Sequence, residues 1–322
     1  MRQFAKPTIV VSKCLEFDAC RYNGEMIPDV TIRNLQPFVT FIPVCPEVEI
    51  GLGTPRETIR IVEENGENRL VQPSTREDVT GKMEQFSNDF LQTISDVDGF
   101  ILKNRSPSCG TRDVKIYSGF EKAPAKGKGA GLFGGAVVKK FSHLPIEEEG
   151  RLSNFIIREH FFTRLFTIAY YKMIKHNKNM KDLVSFQSDN KYLFMAYNQV
   201  KQKELGRIIA NHKNEKIEVV FENYEKTLYE LFMRTPRYTS NVNVCEHIFG
   251  YFKTKLKKQE KDHFIELLQK YAEKKIPLSS LLTILKSWAI RFDEKYLLRQ
   301  TYFEPYPEAL VEISDSGKGR DY

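Results

Sequence analysis

Three cysteines set the terms on which this chain can fold. Cys14, Cys45 and Cys109 each follow a short apolar run, at residues 9–12, 38–44 and 97–102, rich in β-branched and aromatic residues. The runs are apolar on both parities, the pattern of parallel strands covered on both faces. In open sheets of that kind the loops at the carboxyl ends of the strands converge on one crevice. The cysteines therefore belong to strand ends, and around them the first half alternates β-rich runs with turn and helix signals, the rhythm of an α/β domain. Residues 75–94 carry Val79, Met83, Phe86, Phe90 and Ile94 at helical spacing.

The second half changes character. Apolar residues recur near every 3.6 positions over 152–174, 189–210, 217–233, 242–256, 261–274, 278–292 and 294–303, with breakers at Thr235-Pro236, Ile276-Pro277 and after Phe303. The expected organisation is an α/β domain with a mainly parallel sheet over residues 1–150, then an all-α domain over 151–322. Pro145 to Leu152, with Glu147-Glu148-Glu149, reads as a charged, exposed connector, and residues 314–322 as a polar tail. The glycine-rich stretch 123–135 has neither Walker nor dinucleotide-binding spacing and reads as a flexible loop, with phosphate binding the alternative.

No run approaches the roughly 18 apolar residues of a membrane span, and the apolar stretch near the N-terminus is too brief for a signal-peptide core. The expected location is the cytoplasm. Thiols stay reduced there, so clustered cysteines point to metal or catalysis rather than disulfides, with burial as small apolar residues the alternative. The net charge of +7 is unevenly spread: residues 151–322 hold 30 Lys and Arg against 21 Asp and Glu, and residues 1–150 hold 19 against 21. The basic surplus lies in the helical half, where Arg234, Arg237, Lys253, Lys255, Lys257 and Lys258 interleave with aromatic residues. That is a footprint for nucleic acid, or simply a solvated face.

The cysteine spacing alone leaves a metal role open, because it lacks the close-set ligands of zinc fingers and bacterial ferredoxins. Local chemistry adds weight: Val44-Cys45-Pro46-Glu47 and Ser106-Pro107-Ser108-Cys109-Gly110 bracket their cysteines with turn formers and polar groups. Three thiolates would leave one iron of a cubane cluster without a protein ligand, and an open position distinguishes a catalytic metal from a structural one.

Five blocks, Val11-Ser12-Lys13-Cys14-Leu15, Arg21-Tyr22-Asn23-Gly24, Pro43-Val44-Cys45-Pro46-Glu47-Val48, Gly51-Leu52-Gly53-Thr54-Pro55-Arg56 and Ser106-Pro107-Ser108-Cys109-Gly110, resemble the signature blocks of the thiouracil desulfidase family. The resemblance implies a 4Fe-4S cluster on Cys14, Cys45 and Cys109 whose free iron takes a thiocarbonyl sulfur. The second half resembles the YbgA-like helical domain, through Lys191-Tyr192-Leu193-Phe194-Met195-Ala196-Tyr197, Leu205-Gly206-Arg207, residues 243–253, Ile276-Pro277-Leu278 and Tyr296-Leu297-Leu298-Arg299-Gln300. That domain order resembles the fused desulfidases that act on 4-thiouridine in tRNA, with the helical part implicated in RNA binding. Free thiouracil or thionucleosides as substrate, and a non-enzymatic nucleic-acid-binding protein with a structural metal, are the alternatives.

For the general base we select Glu47, two residues after a ligand; a brace with Arg56 is its other reading. In the family the acidic residue directly precedes the second cysteine, where this chain has Val44. Ser106 matches a catalytic serine of the family, or caps its turn. Cys20 and Cys245 are assigned to packing, with a sulfur relay or a fourth ligand open for Cys20. His247 either meets RNA or packs.

Overall fold

The computed structural model describes residues 2–94, 96–120, 123–211 and 214–312. The tail at 314–322 lies outside them. The chain divides into two compact units, residues 1–169 with 307–322, and residues 170–306. The boundary expected at residue 150 falls within unit 1.

Unit 1 opens with β1 (Thr8–Ser12), helix α1 (Val30–Leu35), β2 (Thr40–Val44) and the short helix α2 (Pro46–Glu49). There follow β3 (Arg60–Glu64), β4 (Glu67–Gln72), β5 (Glu77–Asp78), α3 (Thr80–Thr93), β6 (Gly99–Leu102), β7 (Val114–Tyr117) and β8 (Ala125–Gly129). The unit is completed by α4 (Leu132–Phe141), β9 (Ile146–Glu148), α5 (Glu149–Leu152) and the first part of α6 (Phe155–Asn177).

Among the described residues, two sheets form. One is all-parallel in the order β2-β1-β6-β9. Ile9, Val10 and Val11 on β1 and Phe100, Ile101 and Leu102 on β6 are wholly buried, as central strands covered on both faces require. β2 departs from that expectation: it is an edge strand and largely accessible apart from Val44. Pro43 explains why, since a residue without a backbone N–H sits in a sheet only at an edge.

The second sheet, ordered β5-β4-β3-β7-β8, is mixed. Its first hairpin turns on Asn65-Gly66, with φ of 53° and 83°. Two successive positive φ values are the type I′ turn, whose twist matches that of the flanking strands. The glycine-rich stretch is accordingly not a flexible loop: residues 125–129 are β8, antiparallel to β7, and Gly131 leads straight into α4.

The segment expected to be an exposed connector is buried. Ile146–Glu148 pairs in parallel with β6, and Glu147, Glu148 and Glu149 are 8%, 4% and 9% exposed. Each carboxylate is engaged, so burial is compensated. Glu147 accepts from Arg151 Nε at 2.7 Å, Glu148 from the Thr111 N–H at 2.7 Å and Glu149 from the Asn104 N–H at 2.7 Å. Burial nonetheless pushes the Glu147 carboxyl above its ordinary value, against the pull of Arg151 and Arg112.

Unit 2 is helical: α7 (Met180–Asp189), α8 (Lys191–Tyr197), α9 (Gln199–Ala210), α10 (Ile217–Leu231), α11 (Tyr238–Phe249), α12 (Lys258–Ala272), α13 (Leu278–Arg291) and α14 (Lys295–Leu298) follow the end of α6. The single helix expected over 189–210 is two, α8 and α9, and α7 precedes them. Asparagines break the run. Asn198 takes an extended conformation and its side chain accepts from the Val200 and Lys201 N–H groups at 3.1 Å, the usual N-cap arrangement. Asn190, buried between α7 and α8, donates to the Phe186 carbonyl at 2.8 Å. No described helix is long and apolar enough to cross a membrane.

An aromatic cluster of Tyr171, Phe186, Phe221 and Tyr224 forms part of the unit 2 core. Tyr224 is wholly buried and its hydroxyl donates to Gln187 Oε1 at 2.6 Å. Tyr224→Phe keeps the ring and leaves the Gln187 oxygen unmet. A loss of about 1–3 kcal/mol is expected, read as a lower urea midpoint with an unchanged m-value.

Candidate active site

The carboxyl ends of β2, β1 and β6 lie side by side in the sheet, and the sequence places Cys45 one residue, Cys14 two residues and Cys109 seven residues beyond them. The ladder continues past the strands, because the Lys13 N–H donates to the Val44 carbonyl at 2.8 Å. That bond ties together the residues flanking Cys14 and Cys45. On the other side, the Lys103 N–H donates to Ser12 Oγ at 2.9 Å. Ser12 thus joins the β1 and β6 ends.

The thiols are desolvated and feel one another. Burial pushes Cys14 up to about 12, with the neighbouring Cys45 adding to the rise and Lys103 opposing it. Cys109 is raised well above its usual value, again chiefly by burial, while the Ser12 hydroxyl works the other way. Cys14 and Cys109 are thus held as neutral thiols, and a metal that claimed them would have to displace their protons.

Among the described residues no three His, Cys, Asp or Glu side chains are gathered so as to hold one metal ion. A single zinc draws its sulfurs to about 2.3 Å of one point. Here Cys14 feels Cys45, and Cys109 feels both, without three side chains meeting at one point. An all-sulfur donor set of that kind suits an iron-sulfur cluster, with Cys14, Cys45 and Cys109 as the residues that would hold it.

The Cys109 loop is clasped from behind by α4. Gly131, Leu132 and Gly134 donate their N–H groups to the carbonyls of Gly110, Pro107 and Ser108 at 2.7, 3.1 and 2.9 Å. The helix start is therefore spent on the protein's own loop, which removes the basis for a phosphate site there. The approach is so close that a Cβ on Gly134 would lie 2.4 Å from the Cys109 carbonyl oxygen, and one on Gly131 2.5 Å from that of Ser108.

Glu47 and Arg56 form the second support. Glu47 Oε2 accepts from Arg56 Nε at 2.9 Å and also from Nη2, and Oε1 accepts from the Ser108 hydroxyl at 2.8 Å. Arg56 Nη1 reaches on to the carbonyls of Cys20 and Gly53, at 2.9 and 2.8 Å. The brace between Glu47 and Arg56 is thus present, and it includes Ser108, which is wholly buried. Ser106 Oγ accepts from the N–H groups of Ser108 and Cys109 at 3.2 and 3.1 Å. Both bonds use its lone pairs, so its own O–H remains available to donate.

Sequence reasoning passed over Ser12, Ser108, Glu148 and the glycine pair. The i, i+3 spacing of Gly131 and Gly134 was a legible signal, since it puts two bare positions on one helix face.

Two family models match the chain. That of 2-thiouracil desulfurase covers residues 9–149, and that of a protein of unknown function, DUF1722, covers residues 191–307. The uncharacterized protein YbbK of Bacillus subtilis (strain 168) is 35% identical over 118 residues, which is 34% of this chain and 77% of that protein. The chain belongs to the 2-thiouracil desulfurase family. In this family member the second half has its own relative: the uncharacterized protein YbgA of Escherichia coli (strain K12) is 23% identical over 156 residues, 48% of this chain and 92% of YbgA. A solved structure, the [4Fe-4S]-dependent thiouracil desulfidase TudS, is 24% identical over 46% of this chain and 93% of its own, with a TM-score of 0.36.

In unit 2 the six candidate nucleic-acid contacts are all exposed. They form two groups rather than one. Arg234 and Arg237 precede α11, and Lys253, Lys255, Lys257 and Lys258 follow it, so a 12-residue helix separates them by about 18 Å. Lys255 is ion-paired with Glu294. At the first end Tyr238 lies on the surface, with Lys274 Nζ 5.1 Å from its ring centre. Cys245 is wholly buried, as a packing residue should be, and His247 is exposed.

Gly134→Ala is expected to cost about 1–3 kcal/mol, because neither backbone can yield, and to impair iron uptake by displacing Cys109. Gly135→Ala, whose new methyl would sit 3.4 Å from the Ala130 Cβ, is the control that leaves both intact. Thermal melts and iron-to-protein ratios after anaerobic reconstitution measure the pair.

Proposed function

We propose that this chain is a 4Fe-4S-dependent desulfidase that converts 4-thiouridine in tRNA to uridine. The observation that carries the reading is that Cys45, Cys14 and Cys109 follow three neighbouring parallel strands on the segments leaving their carboxyl ends, segments that also carry Ser106 and the hydrogen-bonded Glu47 and Ser108. Family membership supports the desulfidase part. The basic surplus of the helical half and its exposed cations support the RNA part.

Held by three thiolates, a cluster would supply an open iron, a Lewis acid for the thiocarbonyl sulfur. The remaining work falls to the protein. Water replaces sulfur at the pyrimidine carbon and the sulfur departs as sulfide, with no net oxidation or reduction. Glu47, fixed by Arg56 and Ser108, has lone pairs left to orient that water and accept its proton. Ser106 offers its O–H to the ring. Because 4-thiouridine in folded tRNA is stacked, the base must swing out to reach the strand ends. Free thiouracil or a small thionucleoside is the competing substrate, favoured by the family's name.

Anaerobically reconstituted protein should bleach the near-ultraviolet thiouridine band of tRNA, and do so faster than it consumes free 4-thiouridine. Equal rates on both would favour the small-molecule reading. A full cluster complement with an unchanged band would overturn the desulfidase.

Cys109→Ala should lose the cluster's visible absorbance. Ser106→Ala should retain it and lower kcat by about 10²–10⁴-fold, the range for a proton-handling side chain. Affinity for tRNA should fall steeply between low and physiological salt. Reversing Lys257 and Lys258 to Glu should weaken binding of any tRNA, thiolated or not, in a filter or anisotropy assay.

A further inference from the structure

Cys20 has no place in the ligand set proposed above, yet one member of that set, Cys45, is hydrogen-bonded to it. Cys20 is 4% exposed. The Cys45 thiol donates to the Cys20 carbonyl oxygen from 3.8 Å, so the Cys45 sulfur lies against the Cys20 residue. Cys14 and Cys109 feel Cys45 electrostatically, whereas the Cys20 carbonyl is in hydrogen-bond contact with its sulfur.

Both backbones are held where this contact needs them. Arg56 Nη1 donates to the Cys20 carbonyl at 2.9 Å. The Cys45 carbonyl accepts from the N–H groups of Val48 and Glu49, both at 3.1 Å, in the first turn of α2. A simple packing cysteine would need neither the Cys45 thiol against its backbone nor the pinned carbonyl.

We propose that Cys20 is the resolving cysteine for Cys45, closing a reversible disulfide with it when the site is free of metal and meets an oxidant. With hydrogen peroxide the chemistry has two steps. One thiolate attacks the peroxide, its sulfur is oxidised to a sulfenic acid, and the O–O bond is reduced to hydroxide. The second thiol then displaces the sulfenic oxygen as water, forming the S–S bond. In sum, two thiols and one peroxide give one disulfide and two waters. A dithiol reductant reverses the state by exchange, releasing both thiols.

The consequence is protection of a ligand. Cys45 alone, oxidised to the sulfenic acid, would be open to further irreversible oxidation to the sulfinic acid. Partnered by Cys20 it stops at a recoverable state. While the disulfide stands, one of the three ligand sulfurs is withheld, so metal uptake waits on reduction.

The test exposes full-length protein, both iron-loaded and as purified without iron, to hydrogen peroxide. Remaining thiols are alkylated and the protein digested without reductant by trypsin and a Glu-specific protease. Cleavage after Glu16 puts Cys14 and Cys20 on separate peptides. The expected product is the Cys20 peptide joined to the Cys45 peptide in the iron-free sample, absent from the iron-loaded one for as long as its iron is retained, and lost after dithiothreitol. Cys20→Ser should replace it with sulfinic acid at Cys45 and abolish recovery of iron binding after reduction, while Cys14→Ser should leave the cross-link in place. A disulfide mapped to Cys14 with Cys45 or Cys109, or sulfinic acid at Cys45 in the unaltered protein, overturns the proposal. The iron-free sample separates this outcome from the function: the cross-link is expected there even if the protein proves to have no desulfidase activity.

Discussion

The Arg56 guanidinium is the contact on which the rest of the site depends. It is almost wholly buried, its side chain 4% exposed, and it meets the Glu47 carboxylate and the carbonyls of Cys20 and Gly53. Through Glu47 it reaches the Ser108 hydroxyl, one residue from Cys109. One side chain thus ties together the loops that carry Cys20, Cys45 and Cys109. Breaking such a pair costs about 3–5 kcal/mol, because it strands the partner charge. A lysine could not replace it, since one ammonium cannot span a carboxylate and two carbonyls set in different directions.

The site is a meeting of backbone ladders more than of side chains. Parallel strands bring three chain positions, distant in sequence, to one rim, and the hydrogen bonds that continue beyond the strands fix the residues flanking the cysteines. The buried carboxylates of β9 and α5 complete the rim on its far side, holding the loop after β6 by Asn104, Thr111 and Arg112. Their negative charge is spent on backbone N–H groups and on Arg151 and Lys103. Acidic residues packed so near a sulfur-rich site are tolerable only because each is matched in this way.

What could be read from the residues follows from which forces are local. β1 and β6 announce themselves because central parallel strands are apolar on both faces, and the cysteines at their ends follow. The edge character of β2 was also written in the sequence, in Pro43, and the first hairpin of the second sheet in Asn65-Gly66. Glu147, Glu148 and Glu149 were not legible. A triple acidic run looks solvated until the fold supplies partners from residues 104–112, and no local pattern reveals such partners. The breaks at Asn190 and Asn198 were hidden for a related reason, since apolar periodicity runs straight across them and only side-chain bonds to the backbone show the turn. At the site, the placement of Cys14 and Cys45 directly after strands was readable, whereas Ser12 and Ser108 gain meaning only through what they touch.

The clasp between α4 and the Cys109 loop bears on the order in which the site can be assembled. Cys109 is anchored by the first turn of a ten-residue helix, so its position is set by folding alone and owes nothing to a metal. Cys14 is the only one of the three that retains partial access to solvent. The accessible side of the site is therefore the Cys14 side, and the clasped Cys109 loop forms its fixed back wall.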